Sequence, residues 1–247
     1  FELLYPKFHC QVLENGTWRD IKADTPEYLE KCKPEYFCGV DNDVFRRQLD
    51  ESNEFTLDNW IAKYPELLCA EHLVISGMGM LFFLGFAIGS SFIPSLADKH
   101  GRKPWLGYSM LLQGITTLAT VLMPGGDIKW FYVMIAISFL SGISAGGRYC
   151  IGFCYIMEMA PKSSHFALGT FYNIFDGCFV LLCFTLYFME ISKNWLYPQI
   201  YALSMFTLTF TLYIFVIPES PKWLYNNNKV DKFYETIDMM ARINGHQ

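Results

Sequence analysis

The stretch from Leu96 to Lys103, LADKHGRK in one-letter code, decides the fold class. It is a short basic turn between two apolar runs, because no charged residue occurs from Leu73 to Ala97 or from Trp105 to Met123. About 20 apolar residues suffice to cross a hydrocarbon core about 30 Å thick. A helical hairpin of a soluble protein would keep charged residues on the face that meets water. The two runs therefore predict a pair of membrane-spanning helices.

The overall composition agrees with a membrane protein. Hydrophobic residues make up 52% of the chain and charged residues 17%, which is less charge than a soluble surface needs. The charge is also divided unevenly, since residues 1–71 carry a net charge of −7 and residues 72–247 a net charge of +2. An acidic polar head thus precedes a membrane body. No basic stripe that could bind phosphates is present in the sequence, so we expect no nucleic-acid partner.

Five uncharged or nearly uncharged segments follow one another in the membrane body. Short connections with helix-breaking prolines separate them, among them Pro124, Pro161 and Pro218. The segments lack the alternation of a lipid-facing barrel strand, so they are interpreted as helices. The predicted fold class is an all-α membrane protein with spans at about 73–97, 105–123, 130–157, 166–189 and 195–217.

Two pairs of glycines lie within these predicted spans. Gly85 and Gly89 form one pair, and Gly142 and Gly146 form the other. Small residues spaced four apart let membrane helices approach closely. We interpret all four glycines as packing devices.

Lysine and arginine are concentrated on one side of the predicted bundle. Counted over the short connections and the tail, Lys99, Arg102 and Lys162 lie on that side together with the tail, whereas only Lys129 and Lys193 lie on the other. Cytoplasmic connections are rich in Lys and Arg, so the first side is predicted to be cytoplasmic. The first span then runs from outside to inside, which places the head in the extracellular space or an organelle lumen.

Two features of the head suit that location. Asn15-Gly16-Thr17 is the only N-glycosylation sequon in the chain, so Asn15 is the predicted glycosylation site. The head also holds an even set of cysteines, which suits two disulfides in an oxidising compartment. Spacing alone does not choose among the three possible pairings of Cys10, Cys32, Cys38 and Cys69.

Three regions result from these patterns. They are an extracellular or luminal domain at 1–71, a five-helix bundle at 72–217 and a cytoplasmic amphipathic segment at 218–247. In the last region apolar residues recur at helical spacing from Val230 to Met240, and Gly245 follows. This helix either packs beneath the bundle or binds a partner, and the first explanation is favoured.

Two ionisable residues, Arg148 and Asp176, lie inside predicted spans. Each such group costs about 2.5–3.5 kcal/mol on insertion scales, so its presence calls for an explanation. Both lie about 15 Å from the cytoplasmic ends of consecutive antiparallel helices. We expect them to face the bundle interior within salt-bridge or single-water distance of each other. The pair is either an internal clamp or a substrate or proton site, and its two charges do not choose between an anionic and a cationic substrate.

Three motifs occur in a fixed order along the membrane body. Asp98 to Lys103 matches D-x-x-G-R-K, Glu158 to Pro161 matches E-x-x-P, and Pro218 to Leu224 is close to P-E-S-P-R-W-L. With this order the chain resembles the major facilitator superfamily and, within it, the organic cation and anion transporter family, with the sugar porters as near relatives. The cysteine-bearing head, which closes with Trp60 and Leu68-Cys69, is also similar to the organic ion branch.

The resemblance implies that the five spans are helices two to six of a twelve-helix transporter. The first helix and the second six-helix half would then be supplied from outside this chain, or another membrane subunit would take their place. By analogy with the organic cation branch, the resemblance also implies the pairings Cys10–Cys38 and Cys32–Cys69. The chain departs from the family pattern at Pro94, where Gly is usual, and at His165, where Arg is usual.

The resemblance further implies a substrate-facing surface on the fourth helix of the family. The corresponding residues are Tyr149, Phe153 and Met157, which repeat every four positions and therefore share one helix face. Together with Arg148 and Asp176 they are the candidate substrate-binding residues, and their aromatic character suits bulky or cationic ligands. Aromatic core packing is the alternative explanation for this face.

At the cytoplasmic side the resemblance implies a gating network of four charged residues. In this chain they are Asp98, Arg102, Glu158 and Glu219. In the family this network holds the two halves together when the transporter faces outward. Solvated surface charge is the alternative explanation.

The predicted function is transport of small organic ions by alternating access, with membrane lipids and the ion itself as partners. The alternative is a degenerate half-transporter that serves as a structural scaffold subunit of a larger membrane complex. The sequence holds no nucleotide-binding loop, nucleophile elbow or metal-binding histidine pair, so neither enzyme activity nor a cofactor nor a metal is predicted. The expected location is the plasma membrane, with an organelle membrane as the alternative.

Overall fold

The computed structural model describes residues 8–14, 16–22, 25–32, 36, 45–49, 72–124, 128–191 and 196–245. The chain divides into two compact units. The first comprises Phe1–Ile75, Pro124–Tyr132 and Phe184–Tyr197. The second comprises Ser76–Met123, Val133–Cys183 and Pro198–Gln247.

The first unit contains a small antiparallel sheet, which the sequence analysis did not anticipate. Its strands are β1 (Phe8–Glu14), β2 (Thr17–Ile21) and β3 (Phe45–Leu49), in the order β2-β1-β3. β1 and β2 form a hairpin in which Glu14 pairs with Thr17, and Gly16 occupies the turn with a φ of +79°. A short helix, α1 (Pro26–Lys31), follows β2.

A disulfide joins the sheet to α1. Cys10 in β1 and Cys32 at the end of α1 are buried and bonded, with their Cα atoms 6.1 Å apart. The pairing of Cys10 with Cys38 implied by the family resemblance is therefore wrong, because α1 places Cys32 against the central strand. Cys38, Cys69 and Asn15 lie outside the described residues, so glycosylation of Asn15 stays a prediction.

Ion pairs on the surface of the head link the hairpin to α1. Arg19 lies 2.9 Å from carboxylate oxygens of both Glu14 and Glu27, and Lys31 lies 2.9 Å from Glu27. The hydrogen bonds from Lys31 and Arg19 hold the pKa of the Glu27 carboxyl below its ordinary value. The side chains are 30–51% exposed, so water screens these pairs and they contribute little to stability.

Five helices of the described chain are long and apolar enough to cross a membrane, and they confirm the five predicted spans. Their bounds agree with the predictions within a few residues, the accuracy expected of element ends. They are α2 (His72–His100), α3 (Arg102–Leu122), α4 (Ile128–Met159), a composite fourth span (Lys162–Ile191) and α7 (Leu196–Val216).

The fourth span changes its helical geometry along its length. After a 3₁₀ turn (Lys162–Ser164), α5 (His165–Asn173) leads into a π-helical stretch (Ile174–Phe179), which contains Asp176. α6 (Val180–Leu186) and a second π-helical stretch (Tyr187–Ile191) complete the span. Because π-helical turns are wider than α-helical ones, they change the direction in which the following side chains leave the helix.

Within the second unit, α2 and α4 cross at the four glycines predicted to pack. A Cβ atom on Gly85 would collide with the carbonyl oxygen of Phe139, and one on Gly142 with that of Phe82. The packing role of these glycines is confirmed, because the backbones touch where side chains are absent. Gly89 and Gly146 meet the carbonyl groups of Ile143 and Phe86 in the same way.

A compact apolar cluster joins α2, α3, α4 and α7 near the Asp98–Lys103 turn. Ala97, Leu106, Ile151 and Tyr213 form its buried centre. Gly107 of α3 makes room for Tyr213, since a Cβ atom there would lie 2.9 Å from the tyrosine hydroxyl. This packing fixes the helix ends that carry the charged motifs.

Two short helices follow α7, namely α8 (Pro221–Asn226) and α9 (Val230–Ile243). α9 lies where the apolar spacing predicts a helix, and Gly245 follows it with a φ of +75°. Thr236 is its buried residue, whereas Val230, Tyr234 and Ile237 are exposed. The apolar stripe of α9 therefore remains largely uncovered by the described chain.

Candidate functional site

The four residues predicted as a gating network lie together. They form, with Ser220, what we call the Arg102 cluster. Arg102 Nε donates a hydrogen bond to Glu158 Oε2 at 2.7 Å, and Arg102 Nη2 lies 2.9 Å from Asp98 Oδ1. The Arg102 and Glu158 side chains are only 14% and 10% exposed, whereas Asp98 is 61% exposed. The Arg102–Glu158 pair is therefore the one shielded from water.

Glu219 caps the first turn of α3. Its Oε1 atom accepts hydrogen bonds from the backbone N–H groups of Arg102 at 2.9 Å and Lys103 at 3.0 Å. The first N–H groups of a helix have no partner within the helix, and negative charge is favourable there. Gly101, which precedes α3, has no side chain to supply the cap. It has a φ of +114°, and a Cβ atom on it would lie 2.6 Å from Glu219 Oε2.

Ser220 and Trp223 attach α8 to the cluster. The Ser220 hydroxyl donates to Glu158 Oε2 at 2.6 Å and accepts from the Trp223 backbone N–H at 3.3 Å, so it caps α8 while it bonds α4. Pro221 occupies the first turn, where a missing N–H costs nothing. Trp223 Nε1 donates to the backbone carbonyl of Asp98 at 2.8 Å. The segment after α7 thus contacts the ends of both α2 and α4.

The predicted substrate-facing residues of α4 contact the fourth span. The Tyr149 hydroxyl donates to Asn173 Oδ1 at 2.7 Å, and the Tyr172 hydroxyl donates to the Tyr149 carbonyl at 3.3 Å. The ring of Tyr172 lies 5.5 Å from that of Tyr149 and 5.7 Å from that of Phe153, measured between centroids. Tyr149 and Phe153 therefore share one face, as their spacing predicts, and Tyr149 already has a hydrogen-bond partner there.

A groove of about 610 Å³ opens beside this contact, and we call it the aromatic groove. Its walls come from α4 and from the first part of the fourth span. It is mainly apolar, with polar groups on the side of the fourth span. Phe153, Met157, His165, Phe166, Asn173 and Ile174 are among the lining residues.

Arg148 and Asp176 form no ion pair, so the predicted direct contact is not present. Arg148 Nε is buried and has no hydrogen-bond partner, whereas Asp176 is exposed. Counting residues gives the position of a residue along the helix axis. It does not give the direction in which the side chain leaves that axis. The π-helical stretch that contains Asp176 changes that direction, which explains the difference from the prediction.

Sequence reasoning missed several residues that complete these sites. Tyr172 and Asn173 hold the fourth span against α4, and Ser220 and Trp223 hold α8 against the Arg102 cluster. Asn173 could have been identified from the sequence, because an amide side chain within an apolar span needs a hydrogen-bond partner. Ser220 lies within the motif from Pro218 to Leu224, in which only Glu219 was assigned a role, that of a gating residue.

Metal binding has no support in the part of the chain that the structure describes. No group of three or more His, Cys, Asp or Glu side chains there is placed to hold a metal ion.

Comparison with known proteins identifies the family. The model of the family described as "Sugar (and other) transporter" matches residues 36–246, most of the chain. The chain belongs to this family. It is thereby a member of the major facilitator superfamily, as the motifs predict.

The relatives of this family member include proteins named as solute carriers and as organic cation transporters. Solute carrier family 22 member 2 of Rattus norvegicus is 30% identical over 180 residues, which cover 72% of this chain and 31% of that protein. Organic cation transporter-like protein of Drosophila melanogaster is 27% identical over 99% of this chain and 44% of its own length. Solute carrier family 22 member 6-B of Xenopus laevis is 24% identical over 99% of this chain and 47% of its own length. The chain therefore spans less than half the length of these relatives.

Family membership and the five helices agree on the location. The chain is a multi-pass membrane protein, of a kind typically found in the plasma membrane. The family and the relatives are named as transporters and carriers rather than as enzymes.

Proposed function

We propose that this chain forms part of a transporter of small organic ions that works by alternating access. The observation that carries the proposal is the aromatic groove, whose volume of about 610 Å³ suits a small organic molecule. The names of the relatives, which include an organic cation transporter-like protein, agree with this substrate class. The scaffold alternative is less favoured, because no feature of the described residues supports it.

The aromatic groove offers a mainly apolar surface on which an organic ion can rest. Phe153 and Met157 supply apolar area on α4, while Asn173 and Thr170 supply polar atoms on the fourth span. An aromatic face also attracts a cation by its quadrupole. The groove is open in this chain, so a second transporter half would complete the binding cavity.

The Arg102 cluster supplies the gate in this proposal. Its ion pair joins the ends of α3 and α4, and Asp98 remains largely exposed at the end of α2. Asp98 can therefore exchange partners when the transporter changes state, while the buried Arg102–Glu158 pair keeps the half together. Alternating access requires such a unit, because one half rocks against the other as a body.

Uptake by cells that express the full-length protein tests the proposal. Labelled tetraethylammonium and benzoate serve as the organic cation and anion. We expect uptake of one of them above that of untransfected cells, and Phe153→Ala should reduce it. Phe92→Ala is the matched control, because Phe92 is exposed on α2 and does not line the groove.

A second variant tests the gate. Asp98→Asn should reduce the uptake rate while the amount of protein at the cell surface stays unchanged. Asp231→Asn on the exposed side of α9 is the control. Surface protein without uptake of either ion would contradict the transport function, and full activity of Asp98→Asn would contradict the gate alone.

A further inference from the structure

Two cysteines of α4, Cys150 and Cys154, lie one helical turn apart and belong to neither site described above. α4 is a continuous helix from Ile128 to Met159, so residues four apart are neighbours on its surface. Both thiols are free and partly accessible, and they are close enough to interact electrostatically with each other. The two sulfur atoms therefore form a pair of neighbouring nucleophiles on one face of a membrane span.

The thiol pair lies on a strip of α4 between the apolar core and the aromatic groove. Successive residues point about 100° apart around the axis of an α-helix. Ile151 and Tyr155, which follow the two cysteines, are buried, and the Tyr155 hydroxyl donates to the Pro218 carbonyl at 2.6 Å. Phe153 and Met157, on the other side of the strip, line the groove. The strip itself is not covered by the packing that buries Ile151 and Tyr155.

The helix keeps the two thiols too far apart to form a disulfide with each other. In a disulfide the two Cβ atoms lie about 3.5–4.5 Å apart. Residues four apart on an α-helix hold their Cβ atoms about 5–6 Å apart. Direct oxidation would therefore require the helix to unwind locally. A single additional atom between the two sulfur atoms closes the gap without any change in the helix.

The bridging atom must bind two thiols and need no third ligand from the protein. Within the described ranges no group of three or more His, Cys, Asp or Glu side chains is placed to hold a metal ion, so the pair lacks the further ligands of a zinc site. Trivalent arsenic that carries one organic group has two remaining positions, and both accept sulfur. We propose that Cys150 and Cys154 form an inhibitory binding site for trivalent organic arsenicals, which bridge the two sulfur atoms.

The bridging reaction needs neither an oxidant nor a reductant. An organic arsenic(III) oxide, R–As=O, reacts with both thiols. Two As–S bonds form, while the two S–H bonds and the As=O bond break. The oxygen leaves as water together with the two thiol protons, so arsenic and sulfur keep their oxidation states.

The position of the thiol pair links it to the Arg102 cluster. Cys154 precedes Glu158 by four residues, so the two are neighbours on α4. Glu158 accepts a hydrogen bond from Arg102 at 2.7 Å, and both side chains are shielded from water. An arsenic group bound at Cys154 occupies the space beside this ion pair. Inhibition of uptake rests on the proposed transport function, whereas binding of the arsenical does not.

Binding of phenylarsine oxide to the purified full-length protein tests the site. Mass spectrometry of peptides should find one phenylarsenic group on the peptide that contains both cysteines. 2,3-Dimercaptopropanol should release this group, and an equal concentration of the monothiol mercaptoethanol should not. Cys150→Ser and Cys154→Ser should each weaken binding at least about a hundredfold, because the second bond of a two-point attachment forms intramolecularly.

Two controls accompany these variants. Cys178→Ser/Cys183→Ser removes two exposed thiols from the fourth span and should leave binding unchanged. Copper phenanthroline, which oxidises neighbouring thiols to disulfides, should leave Cys150 and Cys154 free for alkylation. A disulfide between them would overturn the helical spacing on which the site depends. Size-exclusion chromatography verifies that each variant is folded.

Uptake in proteoliposomes separates the site from the transport function. Phenylarsine oxide should reduce uptake of the transported ion by the wild type and leave the folded double variant Cys150→Ser/Cys154→Ser unaffected. Equal affinity of the wild type and the single variants, or release by mercaptoethanol, overturns the site and leaves transport intact. Bridging without any loss of uptake overturns the inhibitory role. Absence of uptake by untreated protein contradicts the transport function, and the binding measurements still decide the site.

Discussion

Glu219 accepts a hydrogen bond from the backbone N–H of Arg102 at 2.9 Å, although the two residues are 117 positions apart in the chain. The cap of α3 is thus supplied by the segment that follows the last span. The contact depends on Gly101, because any side chain at that position would occupy the space of the Glu219 carboxylate. Formation of this helix end is thereby coupled to the folding of the whole half.

The first prediction concerns Gly101. Gly101→Ala should lower the unfolding free energy of the purified full-length protein by at least about 1 kcal/mol. A residue with a side chain loses about that much free energy by adopting a positive φ. Gly245→Ala is the matched control, because Gly245 also has a positive φ but no atom within 4 Å of its Cβ position. Equal losses for the two variants would show that the contact with Glu219 contributes nothing.

The second prediction compares two carboxylates that bond the same arginine. Glu158→Gln should cost up to about 3–5 kcal/mol of unfolding free energy, because it leaves Arg102 in a shielded site with only the exposed Asp98 as a counter-charge. Asp98→Asn should cost below about 1 kcal/mol, since the Asp98 side chain is 61% exposed. Unfolding is followed by the loss of monodisperse protein on size-exclusion chromatography after heating. A larger loss for Asp98→Asn would contradict the assignment of the buried pair.

The third prediction tests the crossing of α2 and α4. Gly85→Ala should reduce the yield of folded protein, because its methyl group would meet the carbonyl of Phe139. Gly79→Ala, in the same helix, has no atom within 4 Å of its Cβ position and should be tolerated. Fluorescence-detected chromatography of tagged variants measures both. A normal yield of folded Gly85→Ala would show that α2 and α4 can move apart at little cost in free energy.

The fourth prediction concerns the disulfide of the head. Peptide mapping under non-reducing conditions should recover Cys10 linked to Cys32 and release the two peptides on reduction. Alkylation before digestion controls for exchange during preparation. A peptide that links Cys10 to Cys38 would restore the pairing implied by the resemblance.

The sequence predicted the spans well because their signal is strong and local. The uncharged run from Leu73 to Ala97 has one physical interpretation in a bilayer, and α2 follows it. The Arg102 cluster was predictable from motifs, since each motif marks a helix end that meets the others. The sheet of the head was missed although Asn15-Gly16 is a strong hairpin signal between two short strands.

The relation between Arg148 and Asp176 was beyond the reach of sequence reasoning. Counting residues gives depth, and the rise per residue is nearly constant along an α-helix. Direction around the axis is not constant once the helix widens, as it does from Ile174 to Phe179. The same limit explains why Tyr172, whose hydroxyl donates to the Tyr149 carbonyl, attracted no attention.

The crossing of α2 and α4 has a consequence for which substitutions this half can accept. The surfaces that touch are glycines and main-chain carbonyl groups, and every residue type supplies a carbonyl group. Phe82 and Phe139 can therefore be exchanged for other residues while the distance between the helices stays constant. The neighbouring side chains can thus vary without a change in helix geometry, so long as the four glycine positions keep small residues.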